Sequence, residues 1–434
     1  MAAGSGTLML SATPKHLHPL LGRRLVDWVV AAVSPLEPEP LVLVVSPDAK
    51  DALSDVEGAA LAIQDDPLGT GDAVASARNA VGHDADHVLV LSGDVPLLTT
   101  DVLRTLVATH RESAADVTVL SFVTPQPGAY GRVLRGTDGQ LAGIVEEADA
   151  THEELAITEA NSSIYVFAAA TLWSALDRLE PHNAQGELYL TDCVRHIVAG
   201  GGTGSVLVAP DASEALGVNT RVELAAAADI LRDRINVGHM LAGVSIVDPR
   251  TTWIEPSVEL EADAVVHPFT VLRGATRVAS GAELGPHAVV IDAEIGEGAT
   301  VGPFCYLRPG TVLGPDAKAG TFVEIKNSLV GARTKVPHLS YVGDAEVGED
   351  TNIAAGNITA NYRPELGPGK QRTTIGRNVR TGVDNSFIAP VTIGDNAWVA
   401  AGSVITEDVP ADALAIARAR QETKEGYSSG KRHD

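Results

Sequence analysis

A six-residue repeat in the second half of the chain is the feature that most restricts its fold. From Ile254 to Val290 every sixth residue is aliphatic, with turn-forming residues between these positions. A helix repeats its faces every three or four residues and a strand every second residue, so neither produces this spacing. Each hexapeptide instead predicts one face of a parallel β-helix, with the aliphatic residues stacked inside the coil.

The repeat continues, with slips of register, almost to the end of the chain. Its predicted interior positions are Ile254, Leu260, Val266, Leu272, Val278, Leu284, Val290, Ile295, Val301, Leu307, Leu313, Ala319, Ile325, Val330, Val336, Val342, Val347, Ile353, Ile375, Thr381, Phe387, Ile393, Val399 and Ile405. The repeat therefore predicts a β-helix over residues 245–410.

The first half has a different pattern, in which short apolar runs alternate with segments of helical character. Leu41–Ser46, His87–Asp94 and Ala115–Val123 are strand-like runs, and the first two are typical of buried parallel strands. This alternation predicts a doubly wound, Rossmann-like α/β domain over residues 1–220. The second run ends in Gly93-Asp94, which places a carboxylate at the C-terminal edge of a strand, where open α/β sheets bind ligands.

Two further segments complete the predicted organisation. Residues 221–244 have helix-forming composition, with apolar residues three and four apart, and predict a linker helix. Residues 411–434 form a C-terminal tail, which we expect to be disordered from 422 onward.

Composition excludes several classes of function. The net charge of −24 argues against general affinity for nucleic acid or an anionic membrane surface. We find no signal peptide and no apolar run of the ~20 residues that a membrane span needs. Cys193 and Cys305 are far apart and suit two reduced thiols. We therefore expect a cytoplasmic protein that binds neither nucleic acid nor membrane.

Seven segments of the first half, in chain order, resemble the uridylyltransferase domain of the bifunctional N-acetylglucosamine-1-phosphate uridylyltransferase/glucosamine-1-phosphate acetyltransferase family. They are AAGSGTLMLSATPKHLHPLLG, QDDPLGTGDAV, LVLSGDVPLL, YGRVLRGTDGQLAGIVEEADAT, EANSSIYVF, NAQGELYLTDCV and LGVNTR. The second half resembles the acetyltransferase domain of the same family through PFCYLRPGTVL, GTFVEIKNS, the segment around His338, FIAPVTIG and ALAIARARQ. The resemblance implies a left-handed β-helix, an active homotrimer and a site formed between subunits.

For the first half, the resemblance implies a nucleotide and UDP-sugar site with Mg²⁺ as cofactor and UTP and N-acetylglucosamine-1-phosphate as substrates. Asp94 and Asn219 match the metal ligands; read alone, Asp94 suits a solvated carboxylate and Asn219 a helix N-cap. The other matching positions are Met1, Ala2, Ala3, Gly4, Lys15, Gln64, Gly69, Thr70, Ser92, Gly93, Gly131, Glu146 and Asn161.

For the second half, the resemblance implies acetyl transfer from acetyl-CoA to glucosamine-1-phosphate with His338 as general base. An imidazole has an ordinary pKa of about 6.5 and is largely neutral near pH 7, as a base must be. Arg308, Lys326, Tyr341 and Asn352 match sugar-phosphate contacts, with Glu324 as a polar neighbour. The acetyl-CoA positions are Ala355, Asn361, Tyr362, Val383, Ala401 and Arg418.

The chain also departs from the family pattern. In the first half, the strand that would precede the phosphate loop and lie centrally in the sheet is missing, which suggests a start upstream of Met1. Leu8 replaces an arginine that meets the triphosphate, and Asn161-Ser162-Ser163 replaces Asn-Thr-Gly. In the second half, Ala354 replaces a glycine, Arg363-Pro364 begins a longer loop, and Val383 replaces a serine near the acetyl group.

Two alternatives to the bifunctional enzyme therefore remain open from the sequence. One is an acetyltransferase with a defective uridylyl site, and the other is a non-catalytic trimeric scaffold or sensor. The set of His338, Arg308, Lys326 and Tyr341 favours an enzyme, because a scaffold needs none of these side chains.

Overall fold

The computed structural model describes residues 1–4 and 6–428. The chain divides into two compact units, Met1–Leu231 and Arg232–Asp434. The division falls inside the longest described helix, α9 (Arg221–Leu241), which lies in the segment predicted to be a linker helix. The functional domain bounds given above stay a prediction.

The first unit is a mixed α/β structure. Its other helices are α1 (Leu25–Val33), α2 (Lys50–Leu53), α3 (Thr70–Ser76), α4 (Arg78–Val81), α5 (Thr100–Glu112), α6 (His152–Leu155), α7 (Ala169–Leu176) and α8 (Leu190–Ala199). Its strands are β1 (Pro19–Leu20), β2 (Arg23–Arg24), β3 (Leu41–Val45), β4 (Ala59–Ile63), β5 (His87–Val90), β6 (Val117–Val123), β7 (Arg132–Arg135), β8 (Leu141–Val145), β9 (Glu159–Ala168) and β10 (Gly204–Val208). Short 3-10 helices cover Thr7–Met9, Lys15–Leu17, Ser34–Leu36, Pro47–Ala49, Glu147–Asp149 and Ala212–Ala215.

The strands of this unit form a six-stranded sheet, a parallel pair and the antiparallel pair β1-β2. The larger sheet has the order β10-β6-β9-β7-β8, with β5 also paired to β9, while β3 pairs with β4. The prediction that β5 is a parallel strand is wrong, because its strand partner in the described chain is the antiparallel β9. The alternating helices and strands otherwise confirm the α/β class.

An apolar cavity of about 660 Å³ lies between β3 and β5. Met1 and Ala2 stand at one end of the gap between these strands. Ala2 donates its N–H to Val44, and the Met1 carbonyl accepts from the N–H of Gly93 at 2.8 Å. These contacts place the first residues of the chain beside Asp94, at the carboxyl ends of both strands.

The second unit is a parallel β-helix, as the repeat predicts. Its strands are β11 (Ser245–Ile246), β12 (Trp253–Ile254), β13 (Glu259–Leu260), β14 (Val265–Val266), β15 (Val271–Arg273), β16 (Arg277–Val278), β17 (Glu283–Leu284), β18 (Val289–Ile291), β19 (Ala293–Ile295), β20 (Thr300–Val301), β21 (Tyr306–Leu307), β22 (Thr311–Leu313), β23 (Lys318–Thr321), β24 (Glu324–Lys326), β25 (Leu329–Val330), β26 (Lys335–His338), β27 (Tyr341–Gly343), β28 (Ala345–Val347), β29 (Ile358–Ala360), β30 (Thr373–Ile375), β31 (Arg380–Thr381), β32 (Ser386–Ile388), β33 (Val391–Ile393), β34 (Trp398–Val399), β35 (Val404–Ile405) and β36 (Leu414–Ala415). Two 3-10 helices cover Pro249–Thr251 and Pro364–Leu366.

Each strand of this unit pairs in parallel with a strand of the neighbouring coil, three strands away except for β27-β29, β28-β30 and β34-β36, so that the coil has three faces. The orders are β11-β14-β17-β20-β23-β26, β12-β15-β18-β21-β24-β27-β29-β32-β35 and β13-β16-β19-β22-β25-β28-β30-β33, with β31-β34-β36 as a further sheet. All predicted interior positions are buried except Leu260, which is partly buried and packs against the same core.

The coil continues beyond residue 410, because Leu414 pairs with Trp398. Residues 429–434 of the predicted disordered tail lie outside the described residues. The left-handed sense of the coil stays a prediction.

Candidate functional sites

Lys15 brings together the two predicted metal ligands of the first unit. Its ammonium group donates hydrogen bonds to Asp94 Oδ2 and, at 2.9 Å, to Asn219 Oδ1. The Lys15 and Asp94 side chains are only 11% and 15% exposed. Two oxygen atoms from distant parts of the chain therefore converge on one cation.

The Asp94 carboxylate is held from both sides. Its Oδ1 accepts a hydrogen bond from Ser92 Oγ at 2.6 Å, while Lys15 contacts Oδ2. Burial raises the pKa of Asp94, but neighbouring Lys15 and His16 and these hydrogen bonds outweigh burial and bring the pKa below its ordinary value. The residue is thus kept ionised and oriented.

Asn219 is positioned by the start of α9. Glu223 Oε2 accepts from the N–H groups of Asn219 and Thr220, each at 2.8 Å, and Thr220 Oγ1 accepts from the N–H of Glu223. This capping box makes Thr220 the helix cap and leaves the Asn219 side chain for the cation. The alternative role of Asn219 as the N-cap is therefore not what the structure shows.

The residues present suit a magnesium ion. Carboxylate and amide oxygens are hard donors, and Mg²⁺ in nucleotide sites commonly uses one or two protein ligands together with phosphate oxygens and water. Within the described part of the chain, no group of three or more His, Cys, Asp or Glu side chains forms a denser metal site.

The phosphate-loop residues surround this cluster closely. Met1 and Gly4 are partly or fully exposed, whereas Ala2 and Ala3 are buried. A side chain on Gly93 would place its Cβ 2.8 Å from the Met1 carbonyl, so only glycine allows this close approach. Leu8 is 67% exposed and brings no charge to the loop.

The predicted uracil-binding residues form one small turn. The Gln64 amide nitrogen donates to the Gly69 carbonyl at 3.1 Å and to Asp72 at 2.8 Å. Gly69 has φ +122°, and an added Cβ would lie 2.6 Å from the Leu188 carbonyl oxygen. Thr70 Oγ1 accepts from the N–H of Leu190 at 3.0 Å. The structure thus brings Gln64, Gly69 and Thr70 together.

The predicted sugar-binding residues lie on β9 and beside β7 and β8. Thr191 donates to Glu146 Oε1 at 2.9 Å, and burial raises the pKa of Glu146. Gly131 accepts from the N–H of Asn161 at 2.9 Å, and Asn161 donates its side-chain amide to Tyr165 Oη at 2.7 Å. An added Cβ on Gly131 would lie 3.2 Å from Glu146 Oε2, so these residues also form one group.

In the second unit, Arg308 and Lys326 follow the interior positions Leu307 and Ile325, which pair with each other on neighbouring coils. Arg308 Nη1 donates to Glu324 Oε1 at 2.8 Å, and this bond, with the Glu324 charge, raises the pKa of Arg308. The Lys326 ammonium has no ion-pair partner within residues 1–4 and 6–428. The pair presents positive charge on a strongly acidic protein.

Tyr341 lies over a glycine of the same strand. An added Cβ on Gly343 would lie 2.3 Å from Tyr341 Oη and 2.7 Å from Asn361 Nδ2, so a side chain there would displace them. Asn361 donates to Tyr341 Oη at 3.2 Å and also to Asp344. Asn327 donates to the other Asp344 oxygen at 2.6 Å, so a buried carboxylate fixes the amide that meets the phenol.

His338 ends β26 at an exposed corner of the coil, three residues before Tyr341. It pairs with Thr321 of the preceding coil, as Tyr341 pairs with Glu324. Among the described residues its ring has no hydrogen-bond partner, which leaves both ring nitrogens available. Asn352 bridges Lys335 and the following coil on the same face.

The predicted acetyl-CoA positions are spread over the later coils. Asn361 is buried, Ala355 is half-buried, and Tyr362, Val383, Ala401 and Arg418 are exposed. The longer loop folds back on itself: Tyr362 pairs with Lys370, whose ammonium lies 4.1 Å from the centre of the Tyr362 ring. The described contacts bring Asn361 to Tyr341 but join none of the other acetyl-CoA positions.

Three positioning residues escaped the sequence-based reasoning: Thr191, Gly343 and Asp344. Thr191 and Asp344 form hydrogen bonds with predicted site residues. Thr191 is 45 residues from Glu146 along the chain, and Asp344 is 17 residues from Asn361, so that no local pattern connects either pair. Gly343 offered a signal, because a glycine inside a strand often marks a close approach.

Comparisons with known proteins agree with this division. Residues 1–192 match the family described as MobA-like NTP transferase domain, and residues 372–407 match the hexapeptide repeat of succinyl-transferase. The whole chain is 47% identical to a protein of Mycolicibacterium gilvum named bifunctional protein GlmU, covering 91% of that relative. Proteins of the same name from Streptomyces coelicolor and Mycobacterium tuberculosis are 46% and 45% identical over the whole chain, with 94% and 92% of the relative covered.

Proposed function

The chain belongs to the family of bifunctional GlmU proteins, and we propose that it acetylates glucosamine-1-phosphate and then transfers a uridylyl group to the product. The final products would be UDP-N-acetylglucosamine and pyrophosphate. The single observation that best supports this proposal is the sequence identity of 45–47% over the whole chain to relatives named as bifunctional. The convergence of Lys15, Asp94 and Asn219 supports it independently.

For acetyl transfer, we propose His338 as the general base. A nitrogen of its exposed ring takes a proton from the ammonium group of glucosamine-1-phosphate, and the freed amine attacks the thioester carbonyl of acetyl-CoA. The carbon–sulfur bond then breaks, the nitrogen loses a second proton to become the amide, and the CoA thiolate leaves and takes up that proton. Arg308 and Lys326 hold the sugar phosphate by charge-assisted hydrogen bonds. Tyr341 and Asn352 orient the sugar, and Glu324 orients Arg308.

For acetyl-CoA binding we propose Ala355, Asn361, Tyr362, Val383, Ala401 and Arg418. Of these residues, Asn361 also touches the sugar side of the site through Tyr341 Oη. It would therefore connect the two substrates. Arg418 supplies an exposed cation for the phosphates of CoA.

For uridylyl transfer, a phosphate oxygen of N-acetylglucosamine-1-phosphate attacks the α-phosphorus of UTP, and pyrophosphate leaves. Such reactions depend on positioning and positive charge more than on a nucleophilic side chain. We propose that Lys15 and the backbone of Met1, Ala2, Ala3 and Gly4 hold the phosphates, with Ser92 and Gly93 behind them. Mg²⁺, held by Asp94 and Asn219, would supply further positive charge there.

The remaining residues of this unit would select the substrates. Gln64, Gly69 and Thr70 would recognise uracil, and Gly131, Glu146 and Asn161 would hold the acetylated sugar. Both groups are ordered by hydrogen bonds within the unit.

We also propose an active homotrimer in the cytoplasm. An exposed column of stacked rings supports an interface at one corner of the β-helix. It consists of Phe269, His287, Phe304 and Phe322, with ring centres 4.6–5.3 Å apart on successive coils. Leu339, next to His338, is also exposed at the end of a coil. A second copy packed here would complete the site beside the base. None of the described helices has the length and apolar character of a membrane span.

A weakened uridylyl site is the second candidate function, and Leu8 is the observation that favours it. An exposed leucine stands where the family resemblance implies a phosphate-binding arginine. Leu8→Arg should raise the rate of pyrophosphate release from UTP if this charge limits the reaction. An unchanged rate would show that Leu8 is not limiting.

Two assays test the proposal as a whole. Release of free CoA thiol from acetyl-CoA and glucosamine-1-phosphate should be lost in His338→Ala, while pyrophosphate release continues. Undiminished thiol release in this variant would refute the general-base assignment. Absence of both activities in the unmodified chain would favour the scaffold instead.

A further inference from the structure

Lys15 occupies the point on which the proposed metal ligands converge. Its ammonium group contacts Asp94 Oδ2 and Asn219 Oδ1, the two atoms that a divalent cation would use. The other Asp94 oxygen is already bonded to Ser92. A metal ion at this point and the ammonium group in its present position therefore exclude each other.

The contact between Lys15 and Asp94 is largely shielded from water. Both side chains are less than one-sixth exposed. In such surroundings an unpaired carboxylate is strongly disfavoured, so one cation must replace another rather than simply leave. An exposed ion pair would offer little competition, because water and salt screen it.

The loop also restricts where Lys15 can lie. Gly6 has φ +59°, and an added Cβ would lie 2.4 Å from Lys15 Cβ, so the backbone passes directly over the lysine stem. Lys15 is the only lysine or arginine among residues 1–22. No other lysine or arginine of this segment can meet the triphosphate in its place.

We propose that Lys15 competes with the divalent cation for Asp94 and Asn219, and that nucleotide phosphates remove this competition by taking the ammonium group. The inference rests on the metal site of the proposed function. Since coupling is reciprocal, metal and nucleotide raise each other's affinity by the same factor. The protein would then bind metal well only together with the triphosphate, and the lysine would change partner from carboxylate to phosphate.

The test is a titration of the full chain with Mn²⁺ alone, in which free Mn²⁺ is measured by electron paramagnetic resonance at a pH of about 8, where carboxylates are ionised. Lys15→Met removes the ammonium group, and Lys15→Gln removes the charge but keeps a hydrogen-bond donor. Lys15→Arg keeps the charge, and Lys50→Met is the matched control at an exposed lysine of α2. Thiol release by the second unit and circular dichroism confirm that each variant is folded.

We expect Lys15→Met and Lys15→Gln to bind Mn²⁺ at least about fivefold more tightly than the unmodified chain, the lower end of typical coupling factors. Lys15→Arg and Lys50→Met should show no gain, and adding Asp94→Asn to Lys15→Met should abolish it. A UTP analogue that resists hydrolysis should strengthen Mn²⁺ binding by the protein less in Lys15→Met than in the unmodified chain.

Two results would overturn the inference in distinguishable ways. If neither neutral variant gains affinity, while Asp94→Asn still removes nucleotide-supported Mn²⁺ binding, the metal site stands and the competition does not exist. If the gain survives Asp94→Asn, the ion binds elsewhere and the proposed metal site falls together with the inference.

Discussion

Gly343→Ala tests whether the phenol of Tyr341 must lie where the structure places it. The new methyl carbon would lie 2.3 Å from Tyr341 Oη, 2.5 Å from Cζ and 2.7 Å from Asn361 Nδ2. Contacts this short force the phenol and the amide to move, because the Gly343 backbone is tied to Thr359 by a hydrogen bond of 2.7 Å. The strand itself should persist.

The expected magnitude follows from this displacement. To regain an ordinary contact, the ring must move by roughly 1 Å, and a misplacement of about 1 Å costs on the order of 100-fold in rate. This corresponds to about 2.7 kcal/mol of activation free energy. Loss of the bond between Asn361 and Tyr341 should lower the free energy of unfolding by only about 1 kcal/mol.

The assay is kcat/KM for thiol release with glucosamine-1-phosphate as the varied substrate. Pyrophosphate release by the same preparation is the internal control, because residues of the first unit carry it out. Gly369→Ala is the matched control, since an added Cβ there meets no atom within 4 Å. A Gly343→Ala variant that keeps kcat/KM within about twofold of the Gly369→Ala control would refute the placement of Tyr341 in the site.

Three further predictions concern the first unit. Gly69→Ala places a Cβ 2.6 Å from the Leu188 carbonyl oxygen at φ +122°. The value of kcat/KM for pyrophosphate release should therefore fall at least about tenfold, with acetyl transfer unchanged. Equal kcat/KM for pyrophosphate release in the variant and the unmodified chain would contradict this. Burial raises the pKa of Glu146, so the protonated carboxyl stabilises the fold below about pH 4.3, and this contribution is lost as pH rises through the native pKa. Glu146→Gln should therefore raise Tm at pH 7 but weaken UDP-sugar binding. An unchanged Tm would count against this argument. Burial lowers the pKa of His110 to about 4, so the free energy of unfolding should fall as pH drops from about 6.5 towards 4. His110→Gln should reduce this pH dependence of stability in calorimetry. An unaltered pH dependence would exclude His110 as its source.

The sequence predicts the β-helix well because the pattern that specifies this fold is short and recurs along the chain. Most hexapeptides bury an aliphatic residue at the same position of the repeat, so that the same pattern recurs many times along the chain. Even the slips of register, such as the five-residue step from Val290 to Ile295, keep both residues buried. Leu260 is the exception and is only partly covered, near the start of the coil.

The partners of the strands in the first unit were harder to predict. An apolar run such as His87–Val90 indicates that the strand is buried but does not indicate which strand lies beside it. The structure pairs it antiparallel with β9, while β3 pairs with β4, and Met1 and Ala2 lie in the gap between β3 and β5. Strand direction depends on contacts between distant segments, which a local pattern does not contain.

The sequence by itself determined the α/β class, the hexapeptide coil and the family to which the chain belongs, because these depend on patterns that can be followed along the chain. Only the tertiary structure decided which polar groups meet. Lys15 is 79 residues from Asp94 and 204 residues from Asn219, yet all three meet in one partly buried contact. Folding makes this contact specific, because a charge removed from water must find its partner in three dimensions.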